Sequence, residues 1–425
     1  MKQQTKLEVS RIKAGQPAKV GVLVEVTAPT LKETVKARNP QALIFVVDRS
    51  GSMGDGRLEL VKNTIGELVG RLSPTDYLAV VSFDTEIETH VPIQKVGTTN
   101  AQKLRRDLAN LEPRGGTNIE LGFVAGLQEA TKAPDGIERR VILLSDGQAN
   151  DGVIDPIALG QIAAFATEHL VKTSTMGIGE GYDERILASI ANAGQGNHFA
   201  AIVLDEAIAG MQNEIDSLLQ RSLTDLSCTV EIVDKDKGIW VHPLGYVKSK
   251  QGFLGGLKVD LNDMASGEVR GFAFVLDIDA IEDLETLTIQ TTVRATEVES
   301  GDEVGAVKFV TLEIADPVGF VAPARDEDVV AEILAYRLTD VKALAAQAAM
   351  RGDFEEAKRL IRQAQGDTKH LMDNLDALSP RLRTRLMSEH KELSDLLTES
   401  QRSFSKRAME SSFRSARSQP DPRNK

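Results

Sequence analysis

The sequence predicts an α/β protein in which a doubly wound α/β domain is inserted in a β-sandwich and followed by an α-helical C-terminal region. Three patterns carry this reading. Continuous apolar runs alternate with helix-period segments between residues 41 and 221, the order that builds a parallel sheet covered by helices. Period-two segments flank that stretch, at 5–28 and again at 222–318, as half-buried strands require. From residue 326 to 411 the helical period returns without intervening strands.

Near the N-terminus, Leu7 and Val9 alternate with polar neighbours, a turn runs from Lys13 to Pro17, and Val20, Val22, Val24 and Val26 repeat every second position. These strands have no partner before Gln41, so they are expected to pair with the strands beyond Ser222. The run Ala42 to Val47 is apolar throughout and ends in Asp48, as suits a strand buried on both faces. A helix follows at 57–72, then strands at 77–83 and 87–96 and helices at 101–111 and 119–132. The α/β pattern continues with strands at 141–144, 172–179 and 198–202 and helices at 157–170, 184–193 and 206–219. Strands are then expected at 226–233, 252–261, 269–276, 286–296 and 307–314, with Trp240 in the core of the β region. Helical spacing from Val329 to Ala348 and from Phe354 to Ala364, broken at Gly352-Asp353, resembles one tetratricopeptide-like hairpin. A third helix is expected at 381–410. The resulting divisions are 1–40, 41–221, 222–318 and 319–411, with a disordered basic tail at 412–425.

Composition narrows the function. The formal net charge is 50 − 63 = −13, which argues against a phosphate-backbone or anionic-membrane binder and suits divalent cations. Between Gln401 and Lys425, however, seven Lys and Arg stand against Glu410 and Asp421. Cys228 is the single cysteine; it sits in an alternating stretch and can form neither an intrachain disulfide nor a thiolate cluster. The N-terminal residues include no apolar signal region, and no stretch approaches the ~20 apolar residues of a membrane span. A cytoplasmic protein is the expectation.

The residues with the most chemical content are Asp48-Arg49-Ser50-Gly51-Ser52, placed where a buried strand ends. In open α/β sheets ligands bind outside the carboxyl ends of the strands. A carboxylate and two hydroxyls at alternate positions of a tight turn offer hard oxygen ligands, which favour Mg²⁺, Mn²⁺ or Ca²⁺ over zinc. Gly115-Gly116-Thr117-Asn118 opens a helix and presents Thr117, and Leu144-Ser145-Asp146-Gly147 ends a second buried strand with Asp146.

This Asp-x-Ser-x-Ser…Thr…Asp constellation resembles the von Willebrand factor A family with a complete metal-ion-dependent adhesion site, over residues 41–220. The resemblance implies a Rossmann-like fold and a metal site formed by Asp48, Ser50, Ser52, Thr117 and Asp146, with Mg²⁺ as the expected ion and Mn²⁺ or Ca²⁺ as alternatives. It implies that the serines and the threonine coordinate directly, that the aspartates often act through water, and that one position is left for an acidic side chain of a partner. Arg49, Met53, Asp55, Arg57 and Asn150 are expected to rim the ion as partner contacts. The implied activity is that of an adaptor or scaffold, not an enzyme. Its protein partner would offer Asp or Glu, as an AAA+ ATPase of the chelatase or MoxR type or a kinase or phosphatase signalling protein could. The arrangement of domains is also similar to bacterial proteins related to inter-alpha-trypsin inhibitor heavy chains.

Other readings of these residues are weaker. Asp48 to Glu59 has the length of an EF-hand loop, but its sixth position is Met53 and a strand precedes it,. Gly177-Ile178-Gly179 lacks the dinucleotide register because position 182 is Tyr,. A metal-dependent hydrolase would need a base beside the ion, and no His or Glu in the three loops is an obvious one. A structural subunit that docks through its C-terminal helices is the remaining alternative.

Overall fold

The computed structural model describes residues 1–31, 40–98, 101–201, 206, 209, 212, 220–233, 238–245, 249–261, 263–282, 286–373 and 375–416. In chain order the strands are β1 (Lys2–Leu7), β2 (Arg11–Lys13), β3 (Ala18–Thr27), β4 (Gln41–Asp48), β5 (Tyr77–Phe83), β6 (Ile87–Lys95), β7 (Glu138–Ser145), β8 (Val171–Ile178) and β9 (Gln195–Ala201). They continue with β10 (Arg221–Ile232), β11 (Ile239–Pro243), β12 (Ser249–Phe253), β13 (Gly256–Asp260), β14 (Met264–Ala265), β15 (Val269–Ile278), β16 (Thr286–Glu297) and β17 (Glu303–Ala315). The helices are α1 (Arg57–Val69), α2 (Ala101–Asp107), α3 (Ile119–Thr131), α4 (Pro156–Glu168) and α5 (Glu184–Ala193), then α6 (Glu327–Met350), α7 (Phe354–Asp373), α8 (Pro380–Thr398) and α9 (Gln401–Ala416). The described residues fall into two compact units, one from 40–212 with 400–413, the other from 1–31, 220–399 and 414–416.

The first unit is built on the sheet β6-β5-β4-β7-β8-β9. Its strands run parallel except β6. Apolar side chains on both faces of β4 are why Ala42 to Val47 are all buried. The chain moves outward from β4 through β5 on one side and through β7 on the other, which makes the gap between β4 and β7 the topological switch point,. Asp48 ends β4 and Ser145 ends β7 at that gap. Helix α3 lies hard against these strands because it carries glycine where it crosses them. A Cβ on Gly126 would sit 2.2 Å from Val46 Cγ2, and one on Gly122 would sit 2.3 Å from the Phe83 ring. Asn118 caps α3, accepting the Leu121 N–H at 2.9 Å, so Thr117 is held one residue before the cap.

Most of α9 also belongs to this unit. Its sequence is polar, yet Ser405, Lys406, Arg407 and Glu410 are buried, because the charges end on partners. Lys406 Nζ donates to Glu184 at 2.7 Å and to the Tyr182 carbonyl at 2.9 Å, and lies 4.5 Å from the Tyr182 ring centre. Arg407 donates to both oxygens of Glu206. These contacts correct two expectations. The helix expected at 381–410 is two helices, α8 and α9, and residues 412–416 complete α9 instead of belonging to a disordered tail. Residues 417–425, and most of the helix expected at 206–219, lie outside the described residues.

The second unit has two sheets, β1-β3-β15-β11 and β12-β13-β10-β16-β17-β2, with β14 on β10. The N-terminal strands pair with the later ones: Val24 faces Phe272 across β3 and β15, and Ile12 faces Ile314 across β2 and β17. Val20, Val22, Val24 and Val26 share one core with Cys228, Val230, Leu287 and Ile289 of the other sheet. The alternate β3 position, Leu23, packs with Val329, Ile333 and Tyr336 of α6. Trp240 is not core: it is 65% exposed. Among the described residues strand β11 pairs only with β15 at the edge of its sheet, and Ile239 takes the inward phase, which turns its neighbour outward,. Helices α6 and α7 form a hairpin turned at Gly352, whose φ of +83° suits glycine,. Among the described residues no helix is long and apolar enough to cross a membrane.

Candidate metal centre

The five motif side chains converge at the switch point. Asp48 is fully buried; one carboxylate oxygen accepts the Ser50 N–H at 2.8 Å and the other accepts the Ser145 hydroxyl at 2.5 Å. Burial pushes its carboxyl up to about 6, against the pull of the Ser145 and Ser50 hydrogen bonds and with a smaller push from the charge on Asp146. Ser52 donates to Asp146 Oδ1 at 2.7 Å, and its Oγ lies 3.0 Å from Ser50 Oγ. Thr117 enters from the opposite loop. A Cβ on Gly147 would lie 2.9 Å from Thr117 Oγ1 and 3.5 Å from Ser52 Oγ, so glycine keeps open the space these hydroxyls share.

The loops are tied to one another from behind. Asp84, 1% exposed just past the end of β5, accepts from Arg49 Nε at 3.0 Å and from Arg114 Nε at 2.7 Å. Burial disfavours charge on Asp84, but hydrogen bonds from Arg114 and the Glu86 N–H, with the charges of Arg49 and Arg114, outweigh it and hold the carboxyl below its ordinary range. The Arg114 N–H donates to the Arg49 carbonyl at 2.7 Å, and the Asn118 N–H to the Asp84 carbonyl at 3.0 Å. Asp84 thereby fixes the serine loop against the threonine loop. Asn150 performs the same task toward the loop after β7: its Oδ1 accepts the Thr117 N–H at 2.9 Å, and its own N–H donates to the Thr117 carbonyl.

The residues expected to rim the ion divide into two groups. Asp55 and Asn150 are exposed, and Arg57 is partly so. Arg57 donates to the Ser52 carbonyl at 3.0 Å and pairs with Asp146 Oδ2, which makes it a neighbour of the cradle. Arg49 and Met53 are buried, at 2% and 0% exposure. Arg49 turns inward because Asp84 and Glu88 supply its counter-charges, so neither residue presents the exposed contact surface expected of it. Sequence reasoning missed Asp84 and the part played by Ser145. Asp84 has a legible signal, a carboxylate just past the end of the strand beside β4, whereas the hydrogen bond from Ser145 depends on packing.

The donors fit a hard divalent cation. They are two carboxylates and three hydroxyls, and among the described residues no group of three or more His, Cys, Asp and Glu forms a nitrogen- or sulfur-rich alternative. Among the described residues Asp48 is buried without a cationic partner, and the cleared space beside Gly147 is lined by oxygen.

Comparison with known proteins gives a consistent picture. The family model of the von Willebrand factor type A domain matches residues 42–214. An uncharacterized protein of Escherichia coli K12 is 27% identical over 246 residues, which are 56% of this chain and 42% of that protein. Rat inter-alpha-trypsin inhibitor heavy chain H3 is 23% identical over 261 residues, 58% of this chain and 29% of its own. The chain thus spans less than half the length of these relatives. Two solved structures share the fold over nearly the whole chain. The ArnB paralog VWA2 of Sulfolobus acidocaldarius aligns with a TM-score of 0.62 at 16% identity, covering 98% of both chains. A von Willebrand factor type A protein of Catenulispora acidiphila aligns with a TM-score of 0.69 at 14% identity, covering 97% of this chain and 96% of its own.

Proposed function

Because residues 42–214 are a von Willebrand factor type A domain, we propose that the chain is a metal-dependent protein-interaction module and that Asp48, Ser50, Ser52, Thr117 and Asp146 hold one divalent cation, Mg²⁺ first and Mn²⁺ or Ca²⁺ as alternatives. The observation that carries this reading is the hydrogen-bonded run from Ser50 through Ser52 to Asp146, with Thr117 across the space beside Gly147. Bound there, the ion would supply a Lewis-acidic position for a partner carboxylate. The protein's part is to hold the oxygens close before the ion arrives, with Asp84 and Asn150 bracing the loops. A mostly neutral donor set leaves a dication able to attract one further anion.

Binding is favoured over hydrolysis. Both carboxylates at the cradle are already engaged, Asp48 by Ser50 and Ser145, Asp146 by Ser52 and Arg57. That suits holding a ligand better than taking a proton. Docking through the C-terminal helices is the alternative, and three of their cations are already committed within the chain, Lys406 to Glu184, Arg407 to Glu206 and Arg414 to Glu392. The partner is expected to present Asp or Glu, as an AAA+ ATPase or a signalling kinase or phosphatase would. The test is capture from native lysate by the purified chain with Mg²⁺, with EDTA and with Asp48→Ala. Partners retained only by the wild type with Mg²⁺ support the reading; partners indifferent to both changes reject it.

A further inference from the structure

Apart from the metal centre, the two-sheet unit carries a cleft of ≈ 340 Å³. One wall is β2 with the turn that follows it; the other is the irregular segment 320–325, pinned at its end by the Asp326 N–H on the Glu8 carbonyl. From Arg11, Lys13, Pro17, Phe320, Pro323 and Arg325 the cleft takes three cations and an apolar floor.

The cations set it apart. Several charged groups elsewhere in this unit are paired: Lys6 with Asp328, Lys19 with Asp277, Arg221 with Asp263, Arg270 with Glu268. Arg325 pairs with Glu8 on the cleft's own rim. Arg11 and Lys13 are half-buried, and among the described residues neither side chain has an anionic partner. Half-burying an unpaired cation costs free energy that a bound anion would recover. In a chain of net charge −13 a local basic site is selective, because the surrounding field repels anions that the cleft does not hold specifically.

The backbone adds direction. Strand β2 ends its sheet and pairs only with β17 among the described residues. Its other edge is open to an added strand. Ile12 faces the core, so Arg11 and Lys13 share the opposite face, about 7 Å apart along the strand. That is the spacing of alternate side chains on an extended peptide. We propose that this cleft binds an extended acidic peptide segment, with carboxylates at alternate positions and apolar residues between them, laid along β2. Phe320 and the prolines offer contact to its apolar face, which phosphate or a nucleic-acid backbone would not use.

The test is fluorescence anisotropy with the full chain in EDTA, so that the metal centre takes no part. The probe is a fluorescein-labelled peptide of alternating Glu and Val. The competitors are an alternating Lys and Val peptide, a peptide with three Glu followed by three Val, and labelled oligothymidylate. The alternating acidic peptide is expected to bind best. Arg11→Gln with Lys13→Gln should weaken it about tenfold, while Lys308→Glu, on the exposed side of β17, should leave it unchanged. Gln substitutions at half-buried strand positions keep the fold within reach, and Phe320→Ala is an independent second variant expected to weaken binding. Equal or tighter binding of the lysine peptide or the oligonucleotide, no loss in either variant, or no binding of the acidic peptide overturns the proposal.

Discussion

Two buried polar clusters in this molecule are built on opposite principles. In the helical region Lys342 is fully buried between Glu389 and Glu392 and also donates to Ser415 Oγ at 2.9 Å. Burial would lower its pKa, but the two carboxylates outweigh that and raise it. Glu332 is likewise held by Arg381 and Arg385. Those charges are satisfied from within the chain. At the switch point Asp48 is just as buried, yet among the described residues its partners are hydroxyls and a backbone N–H, none of them charged. A buried carboxylate without a cation is expensive, and the helical clusters show that this chain supplies counter-ions where it needs them. The cradle is therefore read as a place prepared for an external cation.

The comparison can be broken by removing one side of each cluster. Lys342→Ala strands Glu389, while Glu392 keeps Arg414, and a loss of about 3 kcal/mol is expected in urea unfolding, with or without Mg²⁺. Asp48→Ala removes no cationic partner, so its stability should match wild type in EDTA far more closely. Its effect should appear on adding metal. Wild type at a hundredfold excess over its dissociation constant should gain about 2.7 kcal/mol, and the variant should gain nothing. A large metal-independent loss in Asp48→Ala would mean that the cradle is a structural core element after all.

Gly147→Ala sharpens the same contrast. Its Cβ would stand 2.9 Å from Thr117 Oγ1, and a metal affinity about tenfold weaker is expected, roughly 1.4 kcal/mol. Calorimetric titration of Mg²⁺ checks it; unchanged affinity would show that the oxygen-lined space is not where the ion sits. The smallest effect belongs to Trp240→Ser. At 65% exposure this large residue should change stability by about 0.5 kcal/mol or less, measured by thermal unfolding.

Much of the fold was legible because burial leaves a rhythm. The run Ala42 to Val47 and the alternate valines of β3 announce a two-faced and a one-faced strand, although Leu23 shows that β3 also meets a helix on its outer face. Asp48, Ser50, Ser52, Thr117 and Asp146 were legible as a group because each sits at a strand end or at a helix entry. Whatever depended on distant pairing was hidden. Arg49, in a glycine-containing turn, reads as exposed until Asp84 and Glu88 come alongside it. The phase of β11 is set by a one-sided edge pairing, so Trp240 points the other way. The break between α8 and α9 is marked by neither glycine nor proline. It is made by Ser400, whose hydroxyl accepts the Ser403 N–H at 3.3 Å, a weak local signal inside a helical rhythm.

The central claim is tested most directly by calorimetric titration of Mg²⁺ into the EDTA-stripped chain and into its Asp48→Ala variant. Saturable binding of one ion per chain to the wild type and none to the variant is the predicted result. Equal binding to both, or none to either, would contradict the assignment of Asp48, Ser50, Ser52, Thr117 and Asp146 as a metal centre.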